Sequence, residues 1–123
     1  MKYVRFQSRQ TCAGTASKLG VFQIAFEVRD HHETSLHDSR EISRNLDWLK
    51  QHLRSPDLND QQYRAIFWFK DSAHEPMQRI WAIKPYLESY GYGIDMIKTW
   101  NPGQIIYQDG WQVAATPWRR SKF

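Results

Sequence analysis

Four bulky apolar residues in succession, Ile66-Phe67-Trp68-Phe69, constrain this chain more than any other feature. In a strand, successive side chains point to opposite faces, so this run puts bulk on both. Such a strand suits the centre of a sheet covered on both sides. Residues 64–69 are therefore read as a central strand, and the rest of the chain must supply its neighbours and its cover.

The cover comes from three helical patterns. Val21, Ile24, Ala25 and Val28 recur at helical spacing within residues 19–29, with Phe22 and Phe26 beside them. Ile42, Leu46, Leu49 and Leu53 follow at spacings of about 4, 3 and 4, the stripe of an amphipathic helix. Asp38 with Glu41 three residues later reads as its capping box, and Pro56 lies beyond its end. Ser72 and Glu75 read as a second capping box with Pro76 in the first turn. Met77, Ile80, Trp81 and Leu87 then mark a helical face, Pro85 interrupts its hydrogen-bond ladder, and Gly91 and Gly93 stop it. The indoles of Trp48, Trp68 and Trp81 are read as core.

The neighbours are strands. Residues 2–7 alternate, Val4 and Phe6 against Tyr3, Arg5 and Gln7. Residues 8–18 are small and polar and read as a mobile loop. The last third reads as a three-strand meander. Residues 94–100 turn at Asn101-Pro102-Gly103 into 104–108, and Asp109-Gly110 leads into 111–116, which Pro117 ends. Tight turns would set Lys98 opposite Tyr107 and Tyr107 opposite Gln112, a row on one face. Ile97, Ile106, Val113 and Ala115 would face the core. The expected architecture is one α+β domain over residues 1–123, order β-α-α-β-α-β-β-β, with helices on a mostly antiparallel sheet and a basic tail at 118–123.

Composition removes several classes. With 123 residues the chain is the size of one domain. Six Trp and 15% aromatic residues argue against disorder. No apolar run approaches the ~18 residues of a membrane helix, and the first residues lack a signal-peptide core. A single cysteine, Cys12, excludes an intrachain disulfide and a multi-cysteine zinc site. The expected compartment is the cytoplasm, with no membrane partner and no cofactor.

Charge is uneven along the chain. Residues 1–20 carry Lys2, Arg5, Arg9 and Lys18 with no acid, and residues 110–123 carry Arg119, Arg120 and Lys122 with none. The remaining stretch is net acidic although the whole chain is +4. If both ends meet on one face, that face attracts an acidic protein or nucleic acid.

Several segments resemble one uncharacterised family of small bacterial, notably cyanobacterial, cytoplasmic proteins. They are Ile66-Phe67-Trp68-Phe69-Lys70-Asp71-Ser72-Ala73, Met96-Ile97-Lys98-Thr99, Pro102 to Asp109 and Gln112-Val113-Ala114-Ala115. Gly20-Val21-Phe22-Gln23 and Leu46-Asp47-Trp48-Leu49 look similar to the same family. The resemblance implies a compact cytoplasmic domain and passes on no activity or catalytic residue.

Motifs for catalysis are sparse. His31, His32, Glu33, His37 and Asp38 form the only metal-like cluster, without the spacing of a known metal motif. A small metal-dependent hydrolase using His31, His32, His37 or His74 is the rival reading. No nucleophile elbow, Walker or dinucleotide fingerprint is present. No catalytic residue is assigned. The sequence favours a non-catalytic binding or regulatory module that contacts an acidic partner protein. Its basic, aromatic surface is expected to hold Arg5, Lys98, Tyr107, Gln112, Trp118, Arg119 and Arg120. Nucleic acid is the second version of that reading. A homodimer through a free sheet edge is a further expectation.

Overall fold

A computed structural model describes residues 1–11, 18–58 and 65–118. Its elements run β1 (Tyr3–Thr11), β2 (Lys18–Gly20), α1 (Val21–Asp30), α2 (Leu36–His52), β3 (Ile66–Lys70), α3 (His74–Ser89), β4 (Ile94–Thr99), β5 (Gln104–Gln108) and β6 (Gln112–Thr116). The α+β class and the expected order hold, with β2 added. Residues 8–11 continue β1 instead of opening a loop, because Ser8 pairs with Ile94 and is buried. Residues 12–17 of that expected loop, with Cys12, lie outside the described residues, and Lys18 opens β2.

Every pairing is antiparallel. The path runs β2-β1-β3-β6-β5, and β4 also pairs with β1. A strand has two edges. The β4 ladder covers one edge of β1 from Tyr3 to Ser8, so β3 and β2 share the other. β3 is central, as its bulk requires. Among the described residues, β4 and β5 are the outer strands of the full-length ladders.

One expected pairing is overturned. β5 and β6 form a hairpin, but β4 does not continue it into a meander: Lys98 faces Val4 and Thr99 faces Tyr3. The reason is burial. β1 offers β4 six paired positions, with Phe6 and Val4 buried beneath them. The Asn101-Pro102-Gly103 corner then packs on the end of β6 instead of closing a hairpin. Gly103 has φ 120°, as a Pro-Gly turn demands. A Cβ there would collide with the Thr116 carbonyl oxygen.

The β5–β6 turn also differs. Asp109 N–H donates to the Gln112 carbonyl at 2.9 Å, so the turn is centred on Gly110-Trp111. Gln108 consequently faces Val113 and Tyr107 faces Ala114, with a bulge between Ile105 and Tyr107. The face assignment for β6 reverses. Phe69 belongs to the helix-side core and pairs with Gln112, so Gln112 turns toward the helices and Val113 and Ala115 turn away. All four residues from Gln112 to Ala115 are buried. Trp68, Ile66 and Ile105 are the cross-strand neighbours that flank the small side chains of the second face.

The core lies between the helices and one face of the sheet. Val21, Ile24, Ala25 and Val28 of α1 and Ile42, Leu46 and Leu49 of α2 are buried there with Ile80, Ile83 and Leu87 of α3. Trp81, expected in that core, is instead 47% exposed. It stands at the core's edge, packing edge-on against Phe6 at 5.6 Å. Caps differ from expectation too. Ser35, not Asp38, caps α2, accepting from the Asp38 N–H at 3.1 Å. The Asp38 carboxylate accepts instead from Tyr90 Oη at 2.7 Å, tying the start of α2 to the end of α3. α3 starts after Ala73 with no side-chain cap, so Ser72 does not serve. Pro85 lies within it. It ends in a Schellman motif at Gly91 (φ 99°), with Tyr92 N–H donating to the Leu87 carbonyl and Gly91 N–H to that of Glu88.

Candidate functional site: an exposed tryptophan corner

The β1–β4 register, extended by one residue, sets Lys2 opposite Trp100. The Lys2 ammonium stands 5.3 Å from the Trp100 ring centroid, within cation–π range. Trp100 remains 69% exposed. Lys98 lies two residues earlier, on the same side of β4, and is exposed. At the residue after Trp100, Trp118 Nε1 donates to Asn101 Oδ1 at 2.6 Å, while Trp118 remains 51% exposed. Both ends of the chain therefore reach one corner: Lys2 from the N-terminal side and Trp118 from the C-terminal side, meeting at Trp100-Asn101. The corner joins two outward indoles to two lysines.

Of the residues expected at a binding surface, the structure brings Lys98 and Trp118 to this corner. Arg5, Tyr107 and Gln112 are elsewhere, and Arg119 and Arg120 lie outside the described residues. Arg5 is on the opposite face of the sheet, half-buried. Its guanidinium donates to the Phe67 carbonyl at 3.3 Å and to Gln7 Oε1 at 3.4 Å. Burial lowers its pKa, yet an arginine remains protonated at neutral pH.

Tyr107 and Gln112 serve the hairpin. Tyr107 Oη donates to Asp109 Oδ2 at 2.6 Å. Asp109 Oδ1 accepts from the backbone N–H groups of Trp111 (2.9 Å) and Gln112 (3.0 Å). The Gln112 amide, 5% exposed, donates to the Arg54 carbonyl at 2.7 Å and reaches Asp109 Oδ2 at 3.4 Å. Burial pushes the Asp109 carboxyl up. The hydrogen bonds from Tyr107, Trp111 and Gln112 together outweigh it and hold the group below its ordinary value. The Tyr107 phenol is held up, chiefly by its bond to Asp109. Beside this network Trp111 leans on Trp48 at 5.8 Å, Trp48 stacks on His52 at 4.0 Å, and the Arg79 guanidinium stands 4.8 Å from the Trp48 ring centroid. These groups brace α2 against the hairpin.

The histidines do not converge. His31 and His32 stack on each other at 4.6 Å, and His37 meets Tyr86 edge-on at 6.2 Å. Among the described residues no three His, Cys, Asp or Glu side chains are placed to hold a metal ion. No helix among them is long and apolar enough to cross a membrane.

Lys2 was counted only among the basic residues of the first twenty and Trp100 only as a neighbour of Lys98 on the expected meander face, so neither is among the residues named for the surface. Their pairing depends on β4 choosing β1, and no local signal encodes that choice. No protein-family model, curated protein or solved structure matches the chain.

Proposed function

We propose that this chain is a non-catalytic binding module, and that the corner formed by Lys2, Lys98, Trp100 and Trp118 is its working surface. The observation that carries the reading is the outward display of two indoles on anchored positions. Tryptophan is enriched at binding hot spots because it offers a large rigid surface at small entropic cost. Here Asn101 fixes one ring and Lys2 engages the other, so little ordering remains to be done on binding. The flanking ammonium groups select the partner's sign: an acidic segment of a partner protein.

The test is an affinity capture from source lysate at low and moderate salt, with and without nuclease, using the native chain and Trp100→Ala/Trp118→Ala. The reading expects an acidic protein that survives nuclease, binds at least tenfold more weakly to the double variant, and weakens with salt. Capture that is indifferent to both indoles overturns it. Retention lost with nuclease would replace the protein partner by single-stranded nucleic acid, for which exposed rings beside cations are stacking platforms. In that case the slope of log affinity against log salt steepens by about 0.7 per phosphate contact.

A further inference from the structure

A second surface feature lies away from the tryptophan corner. α1 and the end of α2 leave part of the sheet's helix-side face uncovered. Phe67 of β3 is 36% exposed there, and Phe26 of α1 is 46% exposed. Between them runs a groove of about 400 Å³ whose floor and walls include Phe22, Leu46, Leu49 and Leu58. That size falls in the range of pockets that take small ligands. Its charged lining among the described residues is Lys50 and Arg54, with no acid. Neither cation is in an ion pair with a described residue. Lys50 belongs to the last turn of α2, where the helix dipole favours a cation. Arg54 lies beyond the helix, and its backbone is fixed by the bond from the buried Gln112 amide to its carbonyl. Two cations thus stand at an apolar groove, one of them on an anchored segment.

We propose that this groove binds a medium-chain fatty acid, with the hydrocarbon tail along Phe26, Phe67 and the leucines and the carboxylate at Lys50 and Arg54. The charge complementarity commits the head group. An alcohol of the same tail gains only the apolar burial, and a cationic amphiphile meets like charge.

The decisive experiment titrates the full chain with decanoate, decanol and decyltrimethylammonium by calorimetry, below their aggregation limits, and follows leucine methyl resonances. Decanoate is expected to bind with a Kd on the order of 100 µM. Decanol should be at least tenfold weaker and the cation weaker still. The methyl groups of Leu46, Leu49 and Leu58 should shift. Lys50→Glu/Arg54→Glu should weaken decanoate at least tenfold and leave decanol unchanged. Phe26→Ser, at an exposed position, should weaken decanoate and decanol alike. The proposal is overturned by no decanoate binding at millimolar concentration, by equal affinity for all three amphiphiles, by decanoate affinity unchanged in the charge-reversed variant, or by shifts confined to other methyl groups.

Discussion

The two ends of the sheet use their polar and aromatic residues in opposite ways. At the β5–β6 hairpin, Tyr107, Asp109, Gln112 and Trp111 direct their hydrogen bonds and rings inward, to one another and to α2. At the β4 corner, Trp100 and Trp118 keep most of their surface in solvent, and the local structure depends on backbone geometry at Gly103. Both ends looked like parts of one binding face in the sequence. The difference teaches that an aromatic residue is available to a partner only where the fold has left its ring surface in solvent. The hairpin holds its shape through side chains, and the corner through its chain path.

The strongest way to break that contrast is Gly103→Ala. The residue needs positive φ, and its Cβ would strike the Thr116 carbonyl. Backbone cannot swing aside as a side-chain tip does, so a loss of about 3 kcal/mol is expected in urea unfolding. Gly91→Ala is the control. It also has positive φ, but nothing lies within 4 Å of the added carbon, so the loss should be about 1 kcal/mol. Equal losses would show that the corner does not depend on its close approach to β6.

At the hairpin the sensitive group is a side chain. Asp109→Ala removes the acceptor for Tyr107, two backbone N–H groups and the Gln112 amide. About 2 kcal/mol should be lost, since bonds to a charged acceptor are individually strong and part of the site is solvated. A loss below about 0.5 kcal/mol would mean that water replaces the carboxylate freely.

The same carboxylate sets a pH dependence. Its folded pKa is lowered, so the unfolded chain takes up a proton first as the solution is acidified. The stabilisation is full above the ordinary Asp value of about 3.9 and disappears as pH falls through the folded pKa. Unfolding midpoints measured from pH 6 downward should therefore fall less steeply below about pH 4 for Asp109→Asn than for the native chain. Parallel acid limbs would remove Asp109 from the account of hairpin stability.

These contrasts also mark how far the sequence could be read. Periodicity located the buried stripes of α1 and α2 because a helix writes its face into neighbouring residues. Ile66-Phe67-Trp68-Phe69 announced a central strand, and Pro102-Gly103 announced a positive φ. Two kinds of information were not local. Asp38-x-x-Glu41 fits a capping box, but Tyr90, 52 residues away, takes the Asp38 carboxylate for a tertiary bond and Ser35 caps the helix instead. The partner of β4 depends on how much apolar surface β1 offers it, which turn residues do not encode. Lys98 was misplaced by that second gap, while the face of Gln112 reversed because the hairpin turn is centred on Gly110-Trp111 rather than on Asp109-Gly110. With β4 placed beside β5, Lys98, Tyr107 and Gln112 formed a row; with β4 beside β1, Lys98 joins Lys2 and Trp100 and the other two join Asp109. Trp118 was legible because it follows a strand-ending proline, where a core role fits poorly.

The smallest expected effect on stability is also the sharpest test of the contrast. Trp100 makes one cation–π contact, to Lys2, and is 69% exposed. An exposed pair of that kind contributes about 0.5 kcal/mol. Trp100→Ala should therefore change the urea midpoint by no more than about 0.5 kcal/mol equivalent, while Trp111→Ala at the hairpin, which removes one of the two rings packed on Trp48, should cost about 2–3 kcal/mol. The binding assay should rank the same two variants in reverse, with Trp100→Ala weakening capture and Trp111→Ala sparing it wherever the protein remains folded. A Trp100→Ala protein as unstable as Trp111→Ala would make that indole a structural residue like its counterpart. The corner would then hold no unused surface, and its lysines would be ordinary solvated charges.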